Sequence, residues 1–489
     1  MNSNINSYNI IHQNSSNIDD INDNDDSKDI ELNILSNDKS SNENLIDPLS
    51  FSYLPVTNDN NNSNGNSNIL PIQTIQRLII VRNQASLFSS YSNLTSTIIG
   101  AGFLALPYGF SQLGWLLGLI TLTLAGLSSA FSLVLLSLCA KHITGKPSSF
   151  YAVAELALPK LSYLIDFAVA IKCWGVATSY IIIISDLMPV ACQQTQCYSF
   201  FKDRNTWVTI GFVIVSPICC FHSIDALKWT SSISLLFILM ITVLVVLYSI
   251  PNNGTLLDPC PIDITNGIQE KCTSEVSPWN VSINSLKVFP IFVFAFTCQQ
   301  NIFSIVNELK VPTPTRVNSV ILASIGSSYC LYVIIAMCGY FTFGNKVKSD
   351  LLLNFPMNRI SSFARVCVSL TVLFHYPLQL NPARKSILSI IRSIDNEEVL
   401  QPSLYFRKYF IVTFVFLILS YVVALSTKDL GVMMSLVGGT ASTIVSYILP
   451  GAFYCILHYR SNSYYFYAAF LMLIIGLIII PLCIISQFL

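Results

Sequence analysis

Residues 93–112 read NLTSTIIGAGFLALPYGFSQ. The stretch is apolar enough for a membrane interior, yet Gly100, Ala101 and Gly102 stand in its middle and Pro107 follows. Three small residues and a proline weaken the helical hydrogen-bond ladder at a depth where lipid offers no replacement partner. Interrupted backbone is tolerated there only when it is buried in protein or lines a cavity, where freed N–H and C=O groups meet a ligand. The stretch therefore predicts a transporter organised around a broken helix.

The rest of the chain agrees on class. Of 489 residues, 53% are hydrophobic and 11% charged, against about a quarter charged in ordinary soluble domains. That difference predicts an all-α polytopic membrane protein in contact with lipid. A formal net charge of zero argues against a nucleic-acid partner, which would need a basic patch. The start, MNSNINSYNI, lacks the basic and apolar regions of a signal peptide, so the first span is expected to insert by itself. Most of the fourteen cysteines lie in apolar segments, where a thiol behaves as a small hydrophobe. Cys192, Cys197, Cys260 and Cys272 lie in polar loops instead. The chain has no CxxC, HExxH or GxxxxGK[ST] pattern, so neither a metal site nor a cofactor is expected. The spans also lack the paired carboxylates or nucleophile–base set of an enzyme.

Residues 1–80 are rich in Asn, Ser and Asp and too poor in apolar material to offset the entropy of ordering, which predicts a disordered tail ahead of a membrane domain at 86–489. A solvated tail and a regulatory or sorting segment are both open readings. Eleven apolar segments follow, near 86–112, 114–140, 161–189, 206–221, 229–250, 286–306, 317–343, 360–381, 408–426, 430–457 and 464–486, the fourth of them short. With the tail in the cytoplasm, fourteen loop Lys and Arg residues lie on its side and nine on the other, which favours that orientation. Arg384 and Lys385 read as cytoplasmic anchors and Arg365 as a far-side charge. The loop at 251–285 carries glycosylation patterns at Asn253 and Asn280, and Cys260 with Cys272 as a disulfide candidate. Both features suit a lumenal or extracellular face. Between the second and third spans, KHITGKPSSFYAVAELALPK is amphipathic and is expected along the cytoplasmic surface of the membrane.

The sixth span, FPIFVFAFTCQQNIFSIVNEL, repeats the interruption: Pro290 stands near its start and a polar cluster, Thr297 to Asn301, in its middle. Interrupted helices five spans apart point to an inverted repeat with a binding site at the bilayer midplane. Spans one to five and six to ten would be the halves, with the eleventh peripheral.

Seven stretches carry a family resemblance: IIGAGFLALPYGFSQLGW, TGKPSSFYAVAELA, IKCWGVATSYIIIISDLMP, FPIFVFAFTCQQNIFSIVNEL, GYFTFG, FHYPLQLNPARK and SLVGGTASTIVSYILPGAFY. In this order they resemble the amino acid/auxin permeases, which include sodium-coupled neutral amino-acid transporters and fungal-type vacuolar amino-acid transporters. The resemblance implies eleven spans, a LeuT-type 5+5 core, an internal N-terminus, and amino-acid transport driven by sodium or protons. It also favours a vacuolar or endolysosomal membrane over the plasma membrane.

An amino-acid zwitterion in a membrane must exchange water for fixed polar partners. A half-helix N-terminus suits its carboxylate, and Thr97, Gly100, Ala101 and Gly102 are the candidates for that end. Freed carbonyls and side chains from Phe294 through Thr297, Cys298 and Gln299 would receive the ammonium. Close helix packing by small residues is the competing reading of Gly100 and Gly102. Lys172 reads as the only Lys or Arg deep in a span. It either braces the carbonyls of an interrupted helix and takes part in coupling, or plays a structural part. Asp186 lies fourteen residues on, too far along the axis to be its partner. Tyr180, two turns from Lys172, either turns its hydroxyl toward substrate, as third-span tyrosines of LeuT-type folds do, or packs.

The coupling ion is where the chain departs from its sodium-coupled relatives. Those place Asn four residues before the first glycine and Thr two residues before the eighth-span proline; here Ser96 and His375 stand in those places. Sodium prefers oxygen ligands, whereas imidazole titrates near neutral pH. Protonated His375 standing in for the cation would make transport proton-coupled; a His that merely hydrogen-bonds a neighbour is the other reading. A receptor on the same fold, signalling through the tail, and a sodium-coupled transporter remain the functional alternatives.

Overall fold

The computed structural model describes residues 85–143, 147–193, 198–220, 228–250, 259, 275–395, 402–459 and 463–488. The N-terminal tail, Asn253, Cys260 and Cys272 lie outside the described residues.

Among the described residues the architecture is helical throughout. The first segment is split into α1 (Leu87–Ile98) and α2 (Leu106–Leu113), with a 3₁₀ turn at Gly102–Leu104 between them and a 48° bend across the break. The ladder breaks where the sequence offers small residues, and Pro107 sits in the first turn of α2, where its missing N–H costs nothing. Gly114, at φ +85°, turns the chain sharply into α3 (Trp115–Ala140). Then follow the short α4 (Phe150–Ala157), the long α5 (Ser162–Gln193), α6 (Arg204–Cys220) and α7 (Lys228–Ser249).

The sixth segment is likewise divided, into α8 (Ile283–Ala295) and α9 (Ile302–Glu308) around a 3₁₀ turn at Gln299–Asn301. Beyond it lie α10 (Pro314–Phe343), α11 (Arg359–Asp395) and α12 (Pro402–Ser426). The tenth segment holds α13 (Leu430–Val437) and α14 (Leu449–Leu457), joined by two π turns, and α15 (Tyr464–Phe488) ends the bundle.

Among the described residues, nine helical stretches are long and apolar enough to cross a membrane, or ten with the bent pair counted as one span. The helix Arg204–Cys220, at the fourth predicted position, is apolar but short. The protein is thus a multi-pass helical membrane protein.

Burial separates the segments. The windows of Pro159–Gln193 and Ile283–Glu308 are 83% buried, against 28% for Tyr464–Ser486. The third and sixth segments therefore form the middle of the bundle and the last is peripheral, its Leu471, Leu477 and Ile485 facing outward as a lipid-contacting surface requires. The amphipathic stretch buries Phe150 and Val153 of α4 against the bundle, with the Phe150 ring edge-on to Phe303 at 4.9 Å.

Three charges correct the sequence reading. Lys172 is not alone, because Arg365 and Arg384 on α11 are also buried. Arg384 is no surface anchor: its guanidinium donates to the Cys219 carbonyl and Thr413 Oγ1 and lies 3.7 Å from the centre of the Tyr409 ring. Arg365 is no loop charge, since it donates to the Leu352 and Phe355 carbonyls and so fastens the loop at 344–358. Both were misread because their neighbours in sequence look like span ends, while the helix runs on through them.

Candidate functional site

The two breaks lie against each other. The Tyr332 hydroxyl on α10 sits between the Ile98 carbonyl, 2.7 Å away at the end of α1, and the Ala295 carbonyl, 3.0 Å away at the end of α8. Gly102 packs so tightly on Ala295 that a Cβ there would fall 2.7 Å from the Ala295 Cα. Close packing, the competing reading of these glycines, therefore applies to Gly102. At Gly100 an added Cβ would instead fall 2.7 Å from the Tyr180 hydroxyl. Tyr180 thus points at the break in the first segment, which the sequence left open.

The carbonyls that the sixth segment frees are already engaged. Ala295 has Tyr332; Phe296 accepts from Ser129 Oγ on α3 at 2.8 Å; Thr297 accepts from Lys172 Nζ on α5 at 3.3 Å. Three consecutive carbonyls are met by side chains from three different helices. Buried backbone groups demand partners, and here tertiary structure supplies them. Phe294 keeps local partners, its carbonyl accepting from the Thr297 amide at 3.1 Å.

The polar side chains around the breaks bond to one another in several groups. Thr97 Oγ1 accepts from Asn301 Nδ2 at 2.6 Å, tying the two breaks together a second time. The Cys298 amide donates to Gln299 Oε1, and Ser446 Oγ on the tenth segment donates to the same oxygen at 2.9 Å. Gln299 Nε2 reaches Ser129 Oγ at 3.1 Å. Lys172 Nζ donates to Gln300 Oε1 at 2.7 Å, and Gln300 Nε2 to Gln379 Oε1 at 3.3 Å. Lys172 is fully buried and both its acceptors are neutral. Asp186 is engaged elsewhere, accepting from Arg204 Nε at 2.7 Å.

His375 lies 2% exposed on α11, and neither ring nitrogen meets a partner at good hydrogen-bond geometry. It interacts with the Thr371 carbonyl one turn back and stands 6.4 Å, centroid to centroid, from the Tyr180 ring. Ser96 returns its hydroxyl to the Asn93 carbonyl of its own helix. At the edge of the bundle, the Asn280 amide donates to the Leu113 carbonyl and Ser282 of the same sequon caps α8.

Sequence reasoning missed Tyr332, Ser129, Gln300, Gln379 and Ser446. Tyr332 and Ser129 sit among apolar neighbours in segments with no visible interruption, so nothing local marks them. What was visible for Gln300 was its place inside the Thr297–Asn301 cluster.

The family model for transmembrane amino acid transporter proteins matches residues 83–488. Vacuolar amino acid transporter 5 of Schizosaccharomyces pombe is 32% identical over 78% of this chain and 86% of its own. Vacuolar amino acid transporter 6 of Saccharomyces cerevisiae is 30% identical over 76% of this chain and 89% of its own. Among solved structures, the nucleobase-cation-symport-1 family transporter Mhp1 matches with a TM-score of 0.52 at 14% identity, covering 83% of this chain and 93% of that one. A Na+-coupled sialic acid symporter matches with a TM-score of 0.51 at 13% identity. These two share the fold. On its sequence from end to end of the helical region, the chain belongs to the transmembrane amino acid transporter family.

Proposed function

We propose that this amino acid transporter is a proton-coupled secondary carrier that binds the zwitterion between its two broken helices and alternates access around them. The reading adds a five-plus-five inverted repeat with an eleventh peripheral span, a cytoplasmic N-terminus and residence in a vacuolar membrane. The single observation that carries it is the meeting of the breaks, with the Tyr332 hydroxyl between the Ile98 and Ala295 carbonyls.

The amides of Ala101, Gly102 and Phe103 lie at the start of the second half-helix, where first-turn amides have no intrahelical partner. They suit the carboxylate, and the Tyr180 hydroxyl beside Gly100 completes that end. The substrate ammonium takes the side of the Phe296 and Thr297 carbonyls, each of which keeps a second lone pair. Lys172 holds the Thr297 carbonyl from behind and transmits its position to Gln300 and Gln379. His375, buried beside the Tyr180 ring, is the group on which a proton takes the place of a metal cation. Residence in the vacuole rests on the names of the relatives, and a glycan on Asn280 belongs to the same orientation.

Reconstitute the purified protein in liposomes and offer a mixed amino-acid panel under separately imposed proton and sodium gradients. Accumulation driven by the proton gradient with sodium replaced by choline is the expected result. Uptake that follows sodium alone would overturn the coupling, and binding without accumulation would overturn the transport cycle.

A further inference from the structure

The helix ends of the second and tenth segments each carry the same four-residue pattern, Cys139-Ala-Lys-His142 and Cys455-Ile-Leu-His458. They are 316 residues apart and meet in space: His142 Nε2 lies 3.3 Å from His458 Nε2. The ring centroids are 4.8 Å apart with the planes at 80°. That is closer than an end-to-end imidazole pair with this nitrogen separation would stand, so the rings are angled rather than collinear. Zn–N bonds of about 2.0–2.1 Å at tetrahedral angles place two ligand nitrogens about 3.3–3.4 Å apart. The pair has the separation of two ligands of one ion.

The surroundings suit ligation. Tyr454 stacks on the His458 ring at 4.1 Å and 13°, which holds the ring's plane. His458 Nδ1 is buried without a hydrogen-bond partner among the described residues, so Nε2 is the nitrogen turned to His142. Cys139 is fully buried, and Cys455 Sγ is turned to the Phe466 carbonyl. The thiols thus stand one turn behind the imidazoles and are not ligands. No three His, Cys, Asp or Glu side chains gather at ligating distance among the described residues. The protein supplies two nitrogens and solvent completes the shell.

We propose that His142 and His458 form a binding site for a divalent transition metal of zinc-like preference, which cross-links the ends of the second and tenth segments. The site lies outside the set of residues around the breaks and does not depend on which amino acid is carried.

The test is zinc titration of the full chain in detergent, purified through a tag free of histidine and followed by calorimetry and by thermal stability. The native protein should bind about one Zn2+ per chain, reversibly with chelator, and melt at a higher temperature when loaded. His142→Asn and His458→Asn should each weaken binding at least tenfold while melting like the native protein without zinc. Cys139→Ser/Cys455→Ser should bind as the native does. Binding should also weaken at pH 5.5, since imidazole ligates only when unprotonated. Native-like titration of both His variants would overturn the proposal, because His12, His222 and His375 would then be the source. Loss of binding in the Cys variant alone would overturn it too.

Discussion

Gly100 and Gly102 stand two residues apart and serve different ends. A methyl on Gly102 meets the Ala295 Cα, which is backbone and cannot give way, whereas a methyl on Gly100 meets the end of the Tyr180 side chain. Overpacking of this kind costs about 1–3 kcal/mol. Gly100→Ala should lower the melting temperature and Tyr180→Phe should restore much of it; Gly102→Ala should show no such rescue. A thermal-shift comparison of the two double variants decides it.

Asp350 belongs to the same scale. Its carboxyl lies in the loop at 344–358, where Oδ1 accepts from the Leu352 amide and Oδ2 is buried without a partner. Burial first, and then the Asp186 carboxylate, push it up to about 7, with the Leu352 amide and Arg365 pulling the other way. An unfolded Asp titrates near about 3.9. The folded state therefore holds this proton more tightly, and the stability it contributes is full below about pH 3.9 and is lost as pH rises through about 7. Asp350→Asn should flatten the fall in melting temperature between pH 4 and 7. A variant as steep as the native protein would rule the assignment out.

At the scale of elements, two broken helices stay broken because other helices complete them. Tyr332, Ser129 and Lys172 come from three different helices to the carbonyls at Ala295, Phe296 and Thr297. Leaving a buried carbonyl without its donor costs about 1–3 kcal/mol. Tyr332→Phe should therefore reduce stability by that order and uptake by more, because the Ile98 carbonyl is released at the same time. Lys172→Met should do likewise. Lys172→Arg should not rescue it, since a planar fork does not fit a site shaped for one ammonium between Thr297 and Gln300. Thermal melts and initial uptake rates on the same preparations check both. The interruptions themselves were legible, because Gly, Pro and Gln inside apolar runs mark them locally. Their partners were not, since a Ser or Tyr inside an apolar helix looks the same whether it caps a distant carbonyl or its own turn.

At the scale of the whole molecule, segment burial and charge decide what the chain can do. The third and sixth segments are enclosed and the last is open to lipid, so the polar residues of the site lie where only a ligand or protein reaches them. His375 is the test of coupling at this level. His375→Ala should leave the protein folded and remove the dependence of uptake on the proton gradient, read as a flat rate against lumenal pH. An unchanged pH profile would leave His375 a packing residue beside Tyr180.

What the sequence by itself determined was the class, the positions of the helices and the two interruptions, since each follows from hydropathy and breaker residues close along the chain, while the resemblance rests on seven motifs in order. Tertiary structure alone decided that Arg365 and Arg384 are interior, that Gly102 packs while Gly100 faces a hydroxyl, and that the freed carbonyls are shared out among three helices. Those facts depend on groups up to two hundred and more residues apart coming within about 3 Å, the reach of a hydrogen bond. No local pattern encodes that approach; it exists only once the bundle has closed.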